Sequence, residues 1–174
     1  MTDTPFLRSV RLSQDIAGEL WLGPMPGRLR PFINDLDALQ TQRIDRIINL
    51  APIAEIEKKA PDYAAALAEN VGISIVRFPV ADFGIPADET SFFLLAERTA
   101  ADLRSGNRIF VHCAAGIGRT GTMAICVLLA LGLGAGAATK LVANAGSGPE
   151  TEGQKALVAR CARLPQSQSS ETSA

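Results

Sequence analysis

From Ile109 the chain runs through a short β-branched segment, IFVHC, then the loop AAGIGRTG, and then the apolar stretch Thr120–Leu131, in which no charged residue occurs. A segment this apolar has no face to offer to water. It is stable only at the centre of a layered domain, as a buried strand followed by a buried helix. Strand, glycine loop and helix in that order are the unit from which parallel sheets are built, so the fold class this core dictates is α/β.

The rest of the chain repeats the pattern. ELWLG (Glu19–Gly23) predicts a short strand that can pair with Leu7–Leu12, and Pro24, Pro26 and Gly27 predict a turn after it. A helix follows from about Pro31 to Gln42, with Phe32, Leu36 and Leu39 on one face. RIINL (Arg46–Leu50) predicts a buried strand. Residues Ile53–Val71 are helical in pattern, and Pro61 divides them into one short and one longer helix. The β-branched run ISIVRFPV predicts a central strand. ADFGIPADE is a loop, because Gly84 and Pro86 interrupt it. A helix should begin near Asp88–Ser91 and end near Ser105–Gly106, and two more cover about Ala135–Ala145 and Thr151–Leu164. The expected architecture is a central, largely parallel β-sheet with helices on both faces, a single domain over residues 1–164. The polar stretch 165–174 is expected to be a frayed, disordered tail.

Charge and cysteine usage narrow the function. Seventeen Lys and Arg against 18 Asp and Glu give a net charge of −1. That balance speaks against general nucleic-acid binding and against a polybasic membrane surface. An anion handled by this chain must meet a local site. Three cysteines and one histidine offer neither a disulfide framework nor C-x-x-C spacing, so no metal and no cofactor is expected, and the setting is expected to be reducing and cytoplasmic. The N-terminal segment has no hydrophobic signal core, and the longest apolar run, Met123–Ala138, is short for a membrane span.

The chemistry concentrates in HCAAGIGRTG, residues His112–Gly121. The segment lies at the carboxyl end of an expected strand and the amino end of an expected helix, where parallel sheets bind ligands. The backbone N–H groups of Ala114, Ala115, Gly116, Ile117 and Gly118 can turn inward as an anion-binding nest, and the helix dipole adds partial positive charge. Arg119 supplies a planar fork for two phosphate oxygens. A cysteine at the bottom of such a cup, Cys113, is placed to react as a thiolate.

His112, Cys113, Arg119 and Thr120 together form the H-C-x-x-x-x-x-R-T string that is similar to the signature of the protein tyrosine phosphatase superfamily. Asp82, in PVADFGIP, resembles that superfamily's general-acid loop and precedes Cys113 by 31 residues (82 to 113), as in small dual-specificity members. Gln154, in GSGPETEGQ, resembles the glutamine that positions the hydrolytic water. With ELWLGPMPGR and the Glu55-Ile56-Glu57-Lys58 stretch, the chain most resembles the kinase-associated phosphatase (cyclin-dependent kinase inhibitor 3) family, from about Leu7 to Leu164. The resemblance implies a cysteine-dependent phosphatase fold. It also implies hydrolysis of phosphate monoesters on a phosphorylated protein or peptide, phosphotyrosine first with phosphoserine and phosphothreonine beside it, through a cysteinyl-phosphate. Cys113 would be the nucleophile and Asp82 the acid and then the base. Thr120 would stabilise the departing thiolate, and His112 would hold the loop by hydrogen bonds. Three features depart from the larger tyrosine phosphatases and from inositide phosphatases: Ala81 stands where an acid-loop tryptophan would, an Asn-Arg-Tyr recognition segment is absent, and no lysine lies inside the loop.

Other candidates have plainer readings. Cys126 and Cys161 read as small buried apolar residues, and Asp88 and Glu89 as helix N-terminal acids. Arg28, Arg30, Lys58 and Lys59 read as surface charge, with Lys58 a candidate for substrate contact. Two rival functions share the cup: a non-catalytic phospho-binding module, and sulfur transfer through a Cys113 persulfide. The first typically lacks the Cys, the Arg or the acid. Against the second stand the His before the Cys, the Thr after the Arg and the separate acid loop.

Overall fold

The computed structural model describes residues 5–165. The strands β1 (Arg8–Val10), β2 (Glu19–Gly23), β3 (Arg46–Asn49), β4 (Ser74–Arg77) and β5 (Arg108–His112) form one sheet in the order β1-β2-β5-β3-β4. Only β1 runs antiparallel; the β2–β5, β5–β3 and β3–β4 pairs are parallel. Gly23, His112 and Asn49 stand in register across the three inner strands, so their carboxyl ends open together on one edge of the sheet. The expected α/β class and the parallel sheet are correct.

Among the described residues seven helices cover the two faces: α1 (Phe32–Thr41), α2 (Ile53–Lys59), α3 (Pro61–Leu67), α4 (Glu89–Arg104), α5 (Gly118–Ala130), α6 (Ala135–Asn144) and α7 (Glu152–Ala162). Strand alternation divides the core between them. Ile109 and Val111 of β5 join Leu20, Leu22 and Ile48 against α4, α5 and α7. Phe110 points to the opposite face, with Phe6, Leu39 and Ile47. A smaller cluster of Met25, Ile56, Tyr63 and Ala114 lies beneath α2 and α3. Every residue of α5 from Gly118 to Leu129 is buried, which is why its sequence carries no polar stripe.

Four expectations change. The ISIVR strand is at the sheet edge rather than its centre, and both its ends, Ser74 and Arg77, are exposed. The helices α2 and α3 have equal lengths of 7 residues. The second stops early because Asn70 Oδ1 accepts the Gly72 N–H at 2.9 Å and turns the chain. The β5 strand ends at His112, leaving Cys113 in the loop. Finally, α5 begins at Gly118, so Arg119 rides in its first turn. The helix from Asp88 starts as the sequence predicts, with Asp88 Oδ1 accepting the Ser91 N–H at 3.0 Å. The expected tail, apart from Pro165, lies outside the described residues.

Candidate active site

Between β5 and α5 the loop Cys113–Arg119 is shaped by what holds its carbonyl groups. Ala114 O accepts from the Met25 N–H at 3.0 Å and from Arg28 Nη1 at 3.2 Å. Gly116 O accepts from Ser147 Oγ at 2.7 Å and Arg8 Nη2 at 2.6 Å. Ile117 O accepts from the N–H groups of Gly121 at 2.8 Å and Gly148 at 3.2 Å. In a trans peptide the C=O and the following N–H point opposite ways. Carbonyls tied outward therefore turn the N–H groups of Ala115, Ile117 and Gly118 toward the inside of the loop, which makes a cup for an anion. Gly116 has φ +73, and a Cβ there would collide with the Gly23 backbone; only glycine fits.

Arg119 lies across this cup, 3% exposed. Its Nη1 donates to Glu55 Oε2 at 2.8 Å and Val80 O at 2.9 Å. Its Nη2 donates to Glu55 Oε1 at 3.1 Å and Asp82 Oδ1 at 2.9 Å. A bidentate carboxylate fixes the plane of the guanidinium from behind. Burial pushes the Glu55 carboxyl up, but the hydrogen bonds and charges of Arg119 and Lys59 outweigh it and hold Glu55 at about 2. Burial likewise works against the charge on Arg119, and Glu55 more than restores it, so the guanidinium is raised above its ordinary value. Asp82 is half-exposed, with Lys59 Nζ 4.0 Å from its other oxygen. The next residue, Phe83, has φ +57, a left-handed conformation uncommon for a bulky side chain, and is exposed.

His112 is fully buried beneath the Cys113–Arg119 loop. Its Nδ1 lies 2.9 Å from Cys113 O and its Nε2 2.9 Å from Tyr63 Oη. Burial lowers its pKa to about 4, so the ring is neutral. A carbonyl can only accept, which puts the single ring proton on Nδ1; Nε2 then accepts from the Tyr63 hydroxyl. The same burial raises the Tyr63 phenol, which keeps it a donor.

A family model described as "Polymorphic toxin system, DSP-PTPase phosphatase" matches residues 23–133, well over half of the chain. The chain belongs to this family. The DSP-PTPase family is one of protein-tyrosine and dual-specificity phosphatases, and at that level the resemblance drawn from the sequence is correct. A curated relative, cyclin-dependent kinase inhibitor 3 of Rattus norvegicus, is 28% identical over 102 residues, 59% of this chain and 48% of the relative. The chain thus spans about half the length of the curated relative it matches. Among solved structures, kinase associated phosphatase with its catalytic site cysteine substituted by serine has a TM-score of 0.78 at 21% identity, covering 95% of this chain and 100% of that one. Tk-PTP in its active form has a TM-score of 0.71 at 20% identity, covering 92% and 99%. Human DUSP28 has a TM-score of 0.62 at 19% identity, covering 90% and 93%. These likenesses establish the fold.

Within this DSP-PTPase domain the structure brings Cys113, Arg119, Asp82 and His112 to one edge of the sheet. Thr120 Oγ1 is buried there without a hydrogen-bond partner among the described residues. Gln154 is fully buried, and its carboxamide is already engaged: Oε1 accepts the Glu150 N–H at 2.8 Å and Nε2 donates to Gly84 O at 3.1 Å. It therefore ties the loop that carries Asp82 and Gly84 to the segment before α7, with one amide N–H left over. Lys59, and not Lys58, is the lysine near the cup. Arg28 is more than surface charge, since it donates to the loop carbonyl of Ala114. Cys126 and Cys161 lie in the core between α5 and α7, apart from the cup, where their mutual hydrogen bond pushes the Cys126 thiol up and the Cys161 thiol down.

Sequence reasoning did not assign roles to Glu55, Tyr63, Ser147 and Arg8. For Glu55 the signals were a carboxylate in the first turn of a short helix and its place in the Glu55-Ile56-Glu57-Lys58 stretch of the resemblance, neither of which gave it a role. Tyr63 and Ser147 look like ordinary helix and loop residues, and Arg8 like one more charge in a polar N-terminus. Among the described residues no helix is long and apolar enough to cross a membrane, and no cluster of three metal-ligating side chains occurs.

Proposed function

We propose that this domain hydrolyses phosphate monoesters on proteins, phosphotyrosine first and phosphoserine and phosphothreonine beside it, through a cysteinyl-phosphate on Cys113. The observation that carries the reading is the cup itself, with loop carbonyls tied outward and Arg119 held flat by Glu55 over a buried cysteine.

In this reading Cys113 Sγ attacks phosphorus in line with the leaving oxygen. The inward N–H groups of residues 114–118 and the Arg119 guanidinium bind the three equatorial oxygens, whose charge they stabilise most strongly in the transition state. Asp82 leaves Arg119 as the phosphate arrives and carries a proton into the Michaelis complex. It gives that proton to the leaving oxygen and then takes one from the water that opens the cysteinyl-phosphate. Thr120 Oγ1, buried and otherwise unpartnered, donates to the sulfur as it departs. Gln154 orients the water with its remaining N–H and steadies the acid loop through Gly84 O. His112 and Tyr63 hold the Cys113 carbonyl away from the nucleophile.

The test is turnover of a phosphopeptide panel carrying phosphotyrosine, phosphoserine or phosphothreonine, run beside inositol phosphates and a thiosulfate:cyanide sulfurtransferase assay. Phosphotyrosyl peptides should be hydrolysed fastest. Cys113→Ser should abolish turnover while still binding phosphate, and acid-quenched parent enzyme should carry one phosphate on Cys113. Sulfur transfer without phosphatase activity, or residual turnover above a few per cent in Cys113→Ser, would refute the mechanism.

A further inference from the structure

We propose that Arg8, on the edge strand β1, is a positioning residue for the phosphate loop, clamping the Gly116 carbonyl outward against the end of α6; the proposal rests on the phosphatase reading above. Arg8 lies more than a hundred residues from the loop in sequence, yet its Nη2 donates to Gly116 O at 2.6 Å. Its Nη1 donates to Ala145 O at 2.7 Å and Gly146 O at 2.6 Å. Those two carbonyls close α6, where backbone acceptors lack helical partners and carry the negative end of the helix dipole. One planar cation thus fastens two segments that the Ser147 Oγ–Gly116 O and Gly148 N–H–Ile117 O bonds also join. Lysine has no such fork.

The surroundings are shaped for this contact. Gly146 has φ +76, and a Cβ built there would sit 2.6 Å from Arg8 Nη1. Ser147 Oγ adds a second donor to the same Gly116 carbonyl at 2.7 Å. With that oxygen held outside, the Ile117 N–H faces the cup.

Charge points the same way. Among the described residues no carboxylate lies within ion-pair distance of Arg8, while Arg119 already has Glu55 and Asp82 against it. Before substrate binds, Arg8 is thus, with Arg28 on the Ala114 carbonyl, a cation at the loop with no carboxylate paired to it among the described residues. Burial lowers its pKa, and the charge of Cys113 opposes that shift, so the two groups sense each other. The other charged or titratable groups around the Cys113 loop are Arg119, with Glu55 and Asp82 behind it, Arg28 on the Ala114 carbonyl, and His112, which is neutral. Two effects of Arg8 therefore separate: loop geometry, which sets affinity for an oxyanion, and positive charge, which acts on Cys113.

The experiment compares Arg8→Gln, Arg8→Lys and Ser147→Ala with the parent, and uses Arg160→Gln, which breaks the remote Arg160–Glu89 pair, as a control. Three quantities are read: kcat and KM with p-nitrophenyl phosphate, the vanadate dissociation constant, and the rate of Cys113 alkylation by iodoacetamide, located by peptide mass spectrometry. Arg8→Gln should lose about 10²-fold in kcat/KM, the scale of a misplaced oxyanion donor, and should weaken vanadate binding and slow alkylation. Arg8→Lys should recover the alkylation rate without recovering vanadate affinity. Ser147→Ala should weaken vanadate binding and leave alkylation at the parent's rate. Arg160→Gln should match the parent throughout.

Parental vanadate affinity in Arg8→Gln overturns the proposal, as do losses that only follow its folded fraction by circular dichroism. Should Arg8→Gln fail to fold, Arg8→Lys and Ser147→Ala decide, and parental vanadate affinity in both overturns it. A parent that binds vanadate and alkylates at Cys113 but hydrolyses no monoester refutes the phosphatase reading, while the vanadate and alkylation comparisons still judge Arg8.

Discussion

Asp82→Asn should tighten the binding of inorganic phosphate and at the same time slow the chemistry, and the two effects have separate origins. Both terminal nitrogens of Arg119 have two acceptors each: Nη1 has Glu55 and Val80, Nη2 has Glu55 and Asp82. A fork for phosphate needs Nε together with one N–H of Nη2, and the N–H within reach is the one that Asp82 holds. Phosphate must displace that carboxylate. The pair joins a buried guanidinium to a half-exposed acid, so its net worth is that of a partly solvated ion pair, ~0.2–1 kcal/mol. Without it the phosphate dissociation constant should fall about 1.4- to 5-fold, because 1.4 kcal/mol is a factor of ten. Titration calorimetry of phosphate into Cys113→Ser and into Cys113→Ser/Asp82→Asn isolates binding from turnover. In the Cys113-containing enzyme, Asp82→Asn should lose about 10²–10⁴-fold with esters of poor leaving groups and much less with p-nitrophenyl phosphate. A double variant that binds phosphate no more tightly than Cys113→Ser would refute the displacement. Burst rates no more sensitive to leaving-group pKa than the parent's would remove Asp82 as the acid and turn attention to Asp88 or Glu89.

Glu55→Gln should flatten the acid limb of the stability curve. A carboxyl held at about 2 instead of 4.5 stabilises the fold fully above pH 4.5 and loses that contribution as pH falls toward 2. At ~1.4 kcal/mol per unit the ceiling is ~3 kcal/mol, and solvent at the edge of the pair reduces it to about 1–2 kcal/mol; urea melts at pH 2 and pH 6 measure the difference, and an unchanged acid limb would rule the pair out. Tyr63→Phe leaves the buried Nε2 of His112 without its donor, so it should cost ~1–3 kcal/mol in thermal or urea unfolding. A neutral outcome would mean that the ring nitrogen is satisfied another way. Exhaustive chelation should leave the hydrolysis rate unchanged while vanadate inhibits strongly; a chelator-sensitive, vanadate-resistant rate would contradict catalysis by the cup.

Legibility followed the range of the interactions. The glycine loop, Arg119 and the strand before it lie within one short segment, so their order and spacing were readable. Asp88 as a helix cap was readable for the same reason, since Oδ1 bonds an N–H three residues away. The edge position of Ser74–Arg77 was not, because β-branched residues suit inner and outer strands alike and pairing order is decided by the other four strands. Gln154 shows both sides of this. The motif offered it as the glutamine that positions the hydrolytic water, but only the fold showed that its carboxamide is already shared between Gly84 and Glu150.

Local chemistry, then, was determined by the sequence alone: an α/β core around one apolar strand–loop–helix unit, an anion cup at its turn, and a cysteine and arginine at the spacing that one loop can bring together. The tertiary structure decided what surrounds that cup. Glu55 comes from α2, Asp82 from the loop after β4, Ser147 from the segment after α6 and Arg8 from β1. Only Asp82 was foreshadowed, by a family motif and its offset from Cys113; Glu55, Ser147 and Arg8 have no such sign, because each contact joins segments separated by at least thirty residues. The contacts exist because the parallel strands gather their carboxyl ends, with the loops that follow them, onto one edge, and the antiparallel β1 brings its amino end, with Arg8, to that same edge.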